Sequence, residues 1–309
     1  MKPLTKAGFN KKYLKGVNSM YRSWLFVPGN QEKHLSKVKD LKADAIIYDL
    51  EDAVPDKNKS AARIKVKETI KNTSEQINYV RVNDLNTPYF MDDLNGIIVE
   101  NLSGIVIPKV DHREDIIIAD YFLGQLEEKY NFQKNTFSII PLIETALGIQ
   151  NIQEIASASE RIMCLCFGGE DFMLDLNVNS NGQQLELLYA RSKMVIASRA
   201  AGIEAPIDTV YTNFRDDKGL KTAAQSGKQF GFQGKLIIHP QQIDIVNAVF
   251  SPTAVEIEEA EKIVELYQQS LERGEGAVQL AGKMIDVPVA ERARKILSYA
   301  GPNNVKMNL

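Results

Sequence analysis

The sequence is poor in cysteine. Its 309 residues include only two, Cys164 and Cys166. Residues at i and i+2 point to the same face of a strand, and this spacing is not the CxxC of redox or zinc sites. We therefore predict two small buried side chains rather than a disulfide or a thiolate metal site. So few thiols are also typical of a protein from a reducing compartment.

The sequence also lacks long apolar runs and long basic runs. No stretch approaches the roughly 18 unbroken apolar residues of a membrane-spanning helix. The formal net charge of -3 gives no electrostatic reason to expect a nucleic-acid partner. The composition, 44% hydrophobic and 25% charged, is that of a globular protein with a large core. We therefore predict neither a membrane nor a nucleic acid as partner.

The first twenty residues contain five lysines and no acidic residue. They lack the apolar core of a signal peptide, and they are poor in the Arg and Ser of transit peptides. We interpret residues 1–21 as a flexible basic N-terminal arm, and we expect the protein to be cytoplasmic.

Eight short apolar runs recur along the chain, separated by segments with helical periodicity. Strands that alternate with helices, without hairpin patterning, are typical of a parallel sheet buried on both faces. We therefore predict an α/β fold, a (β/α)8 TIM barrel over residues 22–250, with an open doubly wound sheet as the alternative. The first turn reads VPGN rather than GxGxxG, which favours the barrel. The predicted strands are residues 23–28, 45–50, 79–82, 104–108, 137–143, 162–167, 206–211 and 235–238, and the clearest helices are 57–72, 113–130 and 184–201.

Polar residues follow most of these runs directly. In a barrel the carboxyl ends of the strands meet at one rim, where enzymes of this architecture build their sites. Several carboxylates at a desolvated rim repel one another, and a divalent cation relieves that repulsion. Carboxylates without nearby Cys or His ligands suit magnesium better than zinc. The residues concerned are Asp49, Glu51, Asp52, Arg81, Asn83, Lys109, Glu144, Glu170, Asp171 and His239.

About seventy residues follow the last predicted strand. Residues 255–271 have the pattern of an amphipathic helix, 274–276 form a break, 280–288 look irregular, and 289–299 predict a last helix. Because the barrel is already complete, we predict that residues 251–309 form a C-terminal helical extension. This extension would pack outside the barrel or on a neighbouring subunit.

Eight segments carry recognisable motifs in a fixed order. They are 22–30 (RSWLFVPGN), 49–54 (DLEDAV), 80–83 (VRVN), 108–109 (PK), 143–148 (IETALG), 168–171 (GGED), 238–242 (IHPQQ) and 282–286 (GKMID). Over about residues 22–300 the sequence resembles the citrate lyase β-subunit family, the CitE-like branch of the HpcH/HpaI aldolases. Segments 210–216 (VYTNFRD) and 238–240 (IHP) make it most similar to the citramalyl-CoA lyases within that family.

The resemblance implies a Mg²⁺-dependent oxo-acid lyase that cleaves a 3-hydroxyacyl-CoA. We expect (S)-citramalyl-CoA to be converted to acetyl-CoA and pyruvate. The alternatives are the citryl-CoA lyase β-subunit of citrate lyase, which works on a carrier-protein thioester within a complex, and a malyl-CoA lyase or thioesterase. A non-catalytic barrel that retains only the shape is a further alternative, which the intact motif residues disfavour.

The resemblance also implies roles for individual residues. Glu144 and Asp171 would be the protein ligands of magnesium, and Glu144 would lie against the substrate. The alternative is that both are ordinary acids at helix starts. Arg81 would be a catalytic substrate clamp for a carboxylate or a thioester enolate, or else a counter-ion for the carboxylates. Glu51 and Asp52 would hold metal-bound waters, or cap a helix.

Further residues are assigned by the same resemblance. Asp286 would be the general acid that protonates the acetyl-CoA carbanion. It would act in trans within a homotrimer, or else on its own barrel. Glu170 would be structural, on the same strand as Asp171. Lys109 and His239 would reach the CoA phosphates or the rim, or else be structural.

Overall fold

The computed structural model describes residues 21–179 and 184–300. Their contacts separate two compact units, Tyr21–Phe250 and the residues from Ser251 onward. The predicted arm at residues 1–21 lies outside the described residues except for Tyr21, which packs on the core of the first unit.

The first unit is a closed barrel of eight parallel strands in chain order. β1 pairs with both β2 and β8, so the sheet has no free edge. The predicted (β/α)8 fold is therefore confirmed. The strands are β1 (Ser23–Pro28), β2 (Ala45–Asp49), β3 (Ile77–Arg81), β4 (Leu102–Ile107), β5 (Ser138–Ile143), β6 (Cys166–Phe167), β7 (Ile207–Asp208) and β8 (Gly234–Ile237).

Helices connect the strands on the outside of the barrel. They are α1 (Glu32–Leu35), α2 (Lys59–Lys71), α3 (Phe90–Ile97), α4 (Arg113–Lys129), α5 (Ala146–Ala156), α6 (Gly169–Asp175), α7 (Leu188–Ala201), α8 (Asp217–Phe230) and α9 (Gln242–Phe250). The predicted helices 57–72 and 113–130 each contain the observed helix. The predicted helix 184–201 begins instead with the 3-10 turn Leu185–Leu187.

One cluster of buried side chains fills the barrel. All eight strands or their approaches contribute to it, because alternate residues of a strand face the same side. The two largest members, Trp24 and Tyr79, place their ring centroids 5.2 Å apart. Both cysteines belong to this cluster and are fully buried and free, as predicted.

The sixth and seventh strands are shorter than the apolar runs predict. The run 162–167 gives only the two residues of β6, and Ile162 makes an isolated bridge to Ile139. Between β6 and β7 a single residue pair, Cys166 and Ile207, is in register. An apolar run indicates that a segment is buried. A strand also needs backbone hydrogen bonds to a neighbouring strand, and the sequence does not show where these form.

A buried ion cluster ties β7 and β8 to helix α7. Asp208 accepts hydrogen bonds from Arg191 Nε (2.9 Å) and from Lys235 Nζ (2.9 Å). The Asp208 and Lys235 side chains are fully buried, and Arg191 is 1% exposed. These residues alternate with the barrel-facing Ile207 and Leu236, so the cluster lies between sheet and helices.

The C-terminal unit contains two helices and a hairpin. They are α10 (Ala254–Glu272), β9 (Val278–Leu280), β10 (Lys283–Ile285) and α11 (Val287–Tyr299). The sequence predicts an irregular segment at residues 280–288, and this prediction is wrong. These residues form a β-turn, a strand and the start of a helix. The turn residues Ala281 and Gly282 have φ of 48° and 81°, as a two-residue hairpin turn requires.

Helix α10 finds partners within its own unit. Its Tyr267 packs with Ile285 of the hairpin and Ala290 of α11 in a small core. The apolar face of α10 therefore does not by itself require a neighbouring subunit. Among residues 21–179 and 184–300, no helix is both long and apolar enough to cross a membrane.

Candidate active site

A cavity of about 420 Å³ opens among the carboxyl ends of the strands. Its wall combines acids with apolar side chains. The lining residues are Phe26, Pro28, Asp49, Asp52, Ala53, Arg81, Leu142, Glu144, Phe167, Gly168, Glu170, Asp171, Thr209, Val210, Leu236 and Ile238. The rim that the sequence predicts is thus present, and Arg81, Glu144 and Asp171 meet at one cavity.

Asp49 and Arg81 form the centre of the β2–β3 side of the cavity. They are register partners on neighbouring strands, and Arg81 donates from Nε to Oδ1 (2.8 Å) and from Nη2 to Oδ2 (2.7 Å). Burial acts to raise the pKa of Asp49, but the Arg81 charge and four hydrogen bonds hold that pKa below its ordinary value. Asp49 is therefore a permanent anion that fixes the guanidinium.

The remaining guanidinium nitrogen of Arg81 also faces acids. Nη1 lies 3.0 Å from Glu51 Oε2 and 3.3 Å from Asp52 Oδ2, and the guanidinium lies 5.0 Å from the centre of the Phe26 ring. Arg81 thus contacts three carboxylates, which is the arrangement of a counter-ion. Glu51 contacts Arg81 and Lys109 and does not cap a helix.

Lys59 holds the chain segment that carries Glu51. It is 5% exposed, and its ammonium donates to the carbonyls of Leu50 and Glu51 (both 3.0 Å) and to Asn83 Oδ1 (2.6 Å). Asn83 in turn donates to the Leu50 carbonyl (3.0 Å). The sequence prediction missed Lys59, because nothing in its helical surroundings marks it as buried.

Glu144 follows β5 and is 2% exposed. Burial, and next the charge of Asp171, raise its pKa to about 8. Its Oε1 accepts from the Lys109 backbone N–H at 2.8 Å. A Cβ added at Gly168 would come within 2.5 Å of Glu144 Cβ and Oε2. The absence of a side chain at Gly168 therefore leaves the space that the Glu144 side chain occupies. Gly168 is a second functional residue whose role the sequence prediction missed.

Asp171 and Glu170 lie in the first turn of α6. The sequence prediction placed both on a strand and kept Glu170 away from the site, and both statements are wrong. Helix α6 begins directly after the two-residue strand β6, and both exposed carboxylates line the cavity.

The donors present fit a divalent cation. Glu144 and Asp171 face one cavity, and each charge disfavours the other until a cation neutralises them. Magnesium commonly takes one or two protein carboxylates and completes its shell with water and substrate oxygens. Within residues 21–179 and 184–300 there is no group of three His, Cys, Asp or Glu side chains arranged to bind a metal, so a full protein cage of the zinc type is not found there.

The remaining assigned residues each have contacts of their own. Asp286 caps α11 by accepting from Val289 N–H (3.3 Å) and belongs to the C-terminal unit. It therefore sits at a helix start, and not on a plain loop as the sequence suggested. His239 stacks on Phe214 with ring centroids 4.7 Å apart. Lys109 Nζ contacts Glu51 Oε1 at 3.1 Å.

Comparison with known protein families identifies the chain. Residues 22–240 match the model of the HpcH/HpaI aldolase/citrate lyase family. The chain belongs to this family. The resemblance inferred from the eight motifs is thereby confirmed, and so is the expectation of an oxo-acid lyase.

Individual relatives cover nearly the whole chain. It is 36% identical to the citrate lyase subunit beta of Haemophilus influenzae, over 90% of this chain and 96% of that protein. It is 34% identical to the mitochondrial citramalyl-CoA lyase of Mus musculus, over 90% of this chain and 86% of that protein. These two activities are thus supported about equally.

Solved structures agree with the fold. A citrate lyase from Burkholderia xenovorans superposes with a TM-score of 0.80 at 20% identity, over 93% of each chain. The protein CitE of Mycobacterium tuberculosis, in complex with magnesium, acetoacetate and coenzyme A, superposes with a TM-score of 0.74 at 25% identity, over 92% of this chain and 99% of that one.

Proposed function

We propose that the protein is a Mg²⁺-dependent lyase that cleaves (S)-citramalyl-CoA to acetyl-CoA and pyruvate. Family membership supports a CoA-ester lyase. The choice of acyl group rests on the wall of the cavity.

The charges around the cavity favour a citramalyl group over a citryl group. Among the described residues that line it, five are acids and one, Arg81, is a base that already contacts three carboxylates. The acyl part of citryl-CoA yields oxaloacetate and brings one more carboxylate than citramalyl-CoA. No unengaged cation lines the described wall to receive it, and a desolvated unpaired carboxylate is costly. The methyl group of a citramalyl unit instead matches apolar side chains such as Phe26, Phe167 and Leu236.

The proposed roles combine the family resemblance with the contacts of the site. Magnesium held by Glu144 and Asp171 would supply the positive charge that binds the substrate hydroxyl and carboxylate and favours ionisation. Glu144 would lie against the substrate. Arg81, held in place by Asp49, would contribute positive charge towards the thioester oxyanion without releasing its carboxylates. Glu51 and Asp52 would keep Arg81 oriented and hold waters of the cation shell.

We also propose that Asp286 is the general acid for the acetyl-CoA carbanion and acts in trans within a homotrimer. Support comes from its GKMID motif. Asp286→Asn and Glu144→Gln proteins, each inactive alone, should regain activity when mixed under verified subunit exchange. Exchange without activity would assign Asp286 to its own barrel or to helix capping alone.

The decisive experiment supplies citramalyl-CoA, citryl-CoA, malyl-CoA and a carrier-protein thioester of citrate separately with Mg²⁺. Pyruvate is followed with coupled lactate dehydrogenase, and oxaloacetate or glyoxylate by derivatisation. We expect pyruvate from citramalyl-CoA without any carrier protein. Cleavage restricted to a carrier-protein thioester of citrate would establish the citrate lyase alternative. Glu144→Gln protein is the matched control for metal-independent background.

A further inference from the structure

Lys109 adopts a backbone conformation that is unfavourable for its residue type. It lies two residues after the end of β4 and has a φ of 51°, in the left-handed region. Residues with a Cβ rarely occupy this region, and they do so where the surroundings hold them. Such residues concentrate at functional sites. The conformation therefore calls for a reason in its surroundings.

Within this left-handed turn, the Lys109 backbone N–H lies against the Glu144 carboxylate. The N–Oε1 distance is 2.8 Å, and this hydrogen bond is of the stronger, charge-assisted kind when the buried carboxyl is ionised. On its other side Glu144 lies against Gly168, where no Cβ fits. The carboxylate is thus held between an N–H group and a glycine.

The Lys109 side chain makes a different and weaker contact. Its ammonium lies 3.1 Å from Glu51 Oε1, but the side chain is 46% exposed. An ion pair this open to solvent contributes little to holding a geometry. Glu51 also keeps its contact with Arg81 when the ammonium is absent. The backbone of Lys109 therefore contributes more to the position of the Glu144 carboxylate than the Lys109 charge does.

We propose that Lys109 is a positioning residue that orients Glu144 for a divalent cation through its backbone N–H. The left-handed conformation, and not the ammonium, is what the cation site requires. This inference rests on the proposed function only in that Glu144 binds the cation. The identity of the acyl group does not enter it.

Three variants that all lack the ammonium separate the contribution of the backbone conformation from that of the charge. Lys109→Met keeps an unbranched side chain and leaves the backbone preference nearly unchanged. Lys109→Val is β-branched and strongly disfavours the left-handed region. Lys109→Gly removes the ammonium and adopts that region freely. Lys109→Thr replaces the valine variant if that protein does not fold, because threonine is also β-branched and tolerates exposure to solvent better.

Cation affinity is measured on substrate-free protein, by calorimetry with Mg²⁺ and by electron paramagnetic resonance with Mn²⁺. We expect the Met and Gly variants to bind within about twofold of the parent, and the Val variant to bind about tenfold more weakly, because β-branching adds to the left-handed cost that Lys and Met already share. Thermal unfolding of each protein separates this effect from a general loss of stability. If the Met and Val variants have equal melting temperatures, a difference in their cation affinities arises at the cation site.

Three results would overturn the inference. Equal weakening in the Met and Val variants would assign the effect to the ammonium, and parent-like affinity in the Val variant would make the conformation dispensable. A parent protein that binds neither cation would remove Glu144 from any metal site. If instead citryl-CoA proves to be the substrate while the order of affinities holds, the proposed acyl group is wrong and the inference on Lys109 stands.

Discussion

Replacing Gly168 with alanine should disable the site through one methyl group. The added Cβ would lie 2.5 Å from Glu144 Cβ and Oε2, whereas ordinary contacts begin near 3.4 Å. The backbone itself accepts alanine, because φ at Gly168 is -92°. The Glu144 carboxylate must therefore move by about 1 Å, and a misplacement of that size costs on the order of 10²-fold in rate. Overpacking should also cost about 1–3 kcal/mol of unfolding free energy.

The assay compares kcat, Mg²⁺ affinity and melting temperature with those of a matched variant, Gly124→Ala. Gly124 lies inside helix α4, and the nearest atom to an added Cβ is Arg161 Nη2 at 3.7 Å. That variant should keep full activity and gain slightly in stability, since alanine favours helices over glycine. A Gly168→Ala protein with parent kcat and parent Mg²⁺ affinity would refute the claim that this glycine gives Glu144 its position.

Three further predictions concern charged residues of the barrel. Glu144→Gln and Asp171→Asn should each abolish Mg²⁺-dependent turnover with little change in melting temperature; full activity with unchanged Mg²⁺ affinity would remove that residue from the metal site. Lys59→Met takes the donor from buried Asn83 Oδ1 and one of two donors from each of the Leu50 and Glu51 carbonyls. It should lower the unfolding free energy by about 2 kcal/mol, measured in urea, together with kcat; unchanged values would contradict its supporting role. Burial acts to raise the pKa of Asp208, but its two cationic partners keep that pKa below the ordinary value. The resulting stability is present above the unfolded-state pKa of about 4 and is lost as pH falls through the lower folded-state value. Asp208→Asn should therefore be less stable than the parent by about 3–5 kcal/mol at pH 7, and the difference should shrink below about pH 4; a constant difference would contradict this.

The barrel was predictable because its strands are apolar on both faces. Runs such as 45–50 and 104–108 fit burial between a filled interior and a ring of helices, and the charged residues after them, including Arg81 and Glu144, reached the cavity as expected. What the sequence did not contain was the register that pairs Asp49 with Arg81. For this reason Arg81 looked like a group open to substrate, although its charge is already shared among three acids.

The errors have equally local causes. The hairpin turn places Ala281 at a φ of 48°, a position where Asn, Asp or Gly is the usual signal, so the segment seemed irregular. Asp286 followed by Pro288 is a common pattern at the start of a helix. The prediction for Asp286 rested on the family motif and did not use this pattern. For Glu170 and Asp171, the strand was assumed to run on from Phe167, whereas it stops there and α6 begins.

The short pairing between β6 and β7 has a consequence for motion. One residue pair is in register there. The backbone contributes the hydrogen bonds from Glu204 N–H to the Met163 carbonyl and from Ile207 N–H to the Leu165 carbonyl (both 2.9 Å), and the Thr209 hydroxyl accepts from Gly169 N–H at 2.9 Å. Regions with few backbone hydrogen bonds open locally at low free energy. Amide hydrogen exchange should therefore be fastest, among the barrel strands, at this seam. Since Gly168, Asp171 and Thr209 line the cavity beside it, the same opening would widen the cavity, and a bound cation should slow it.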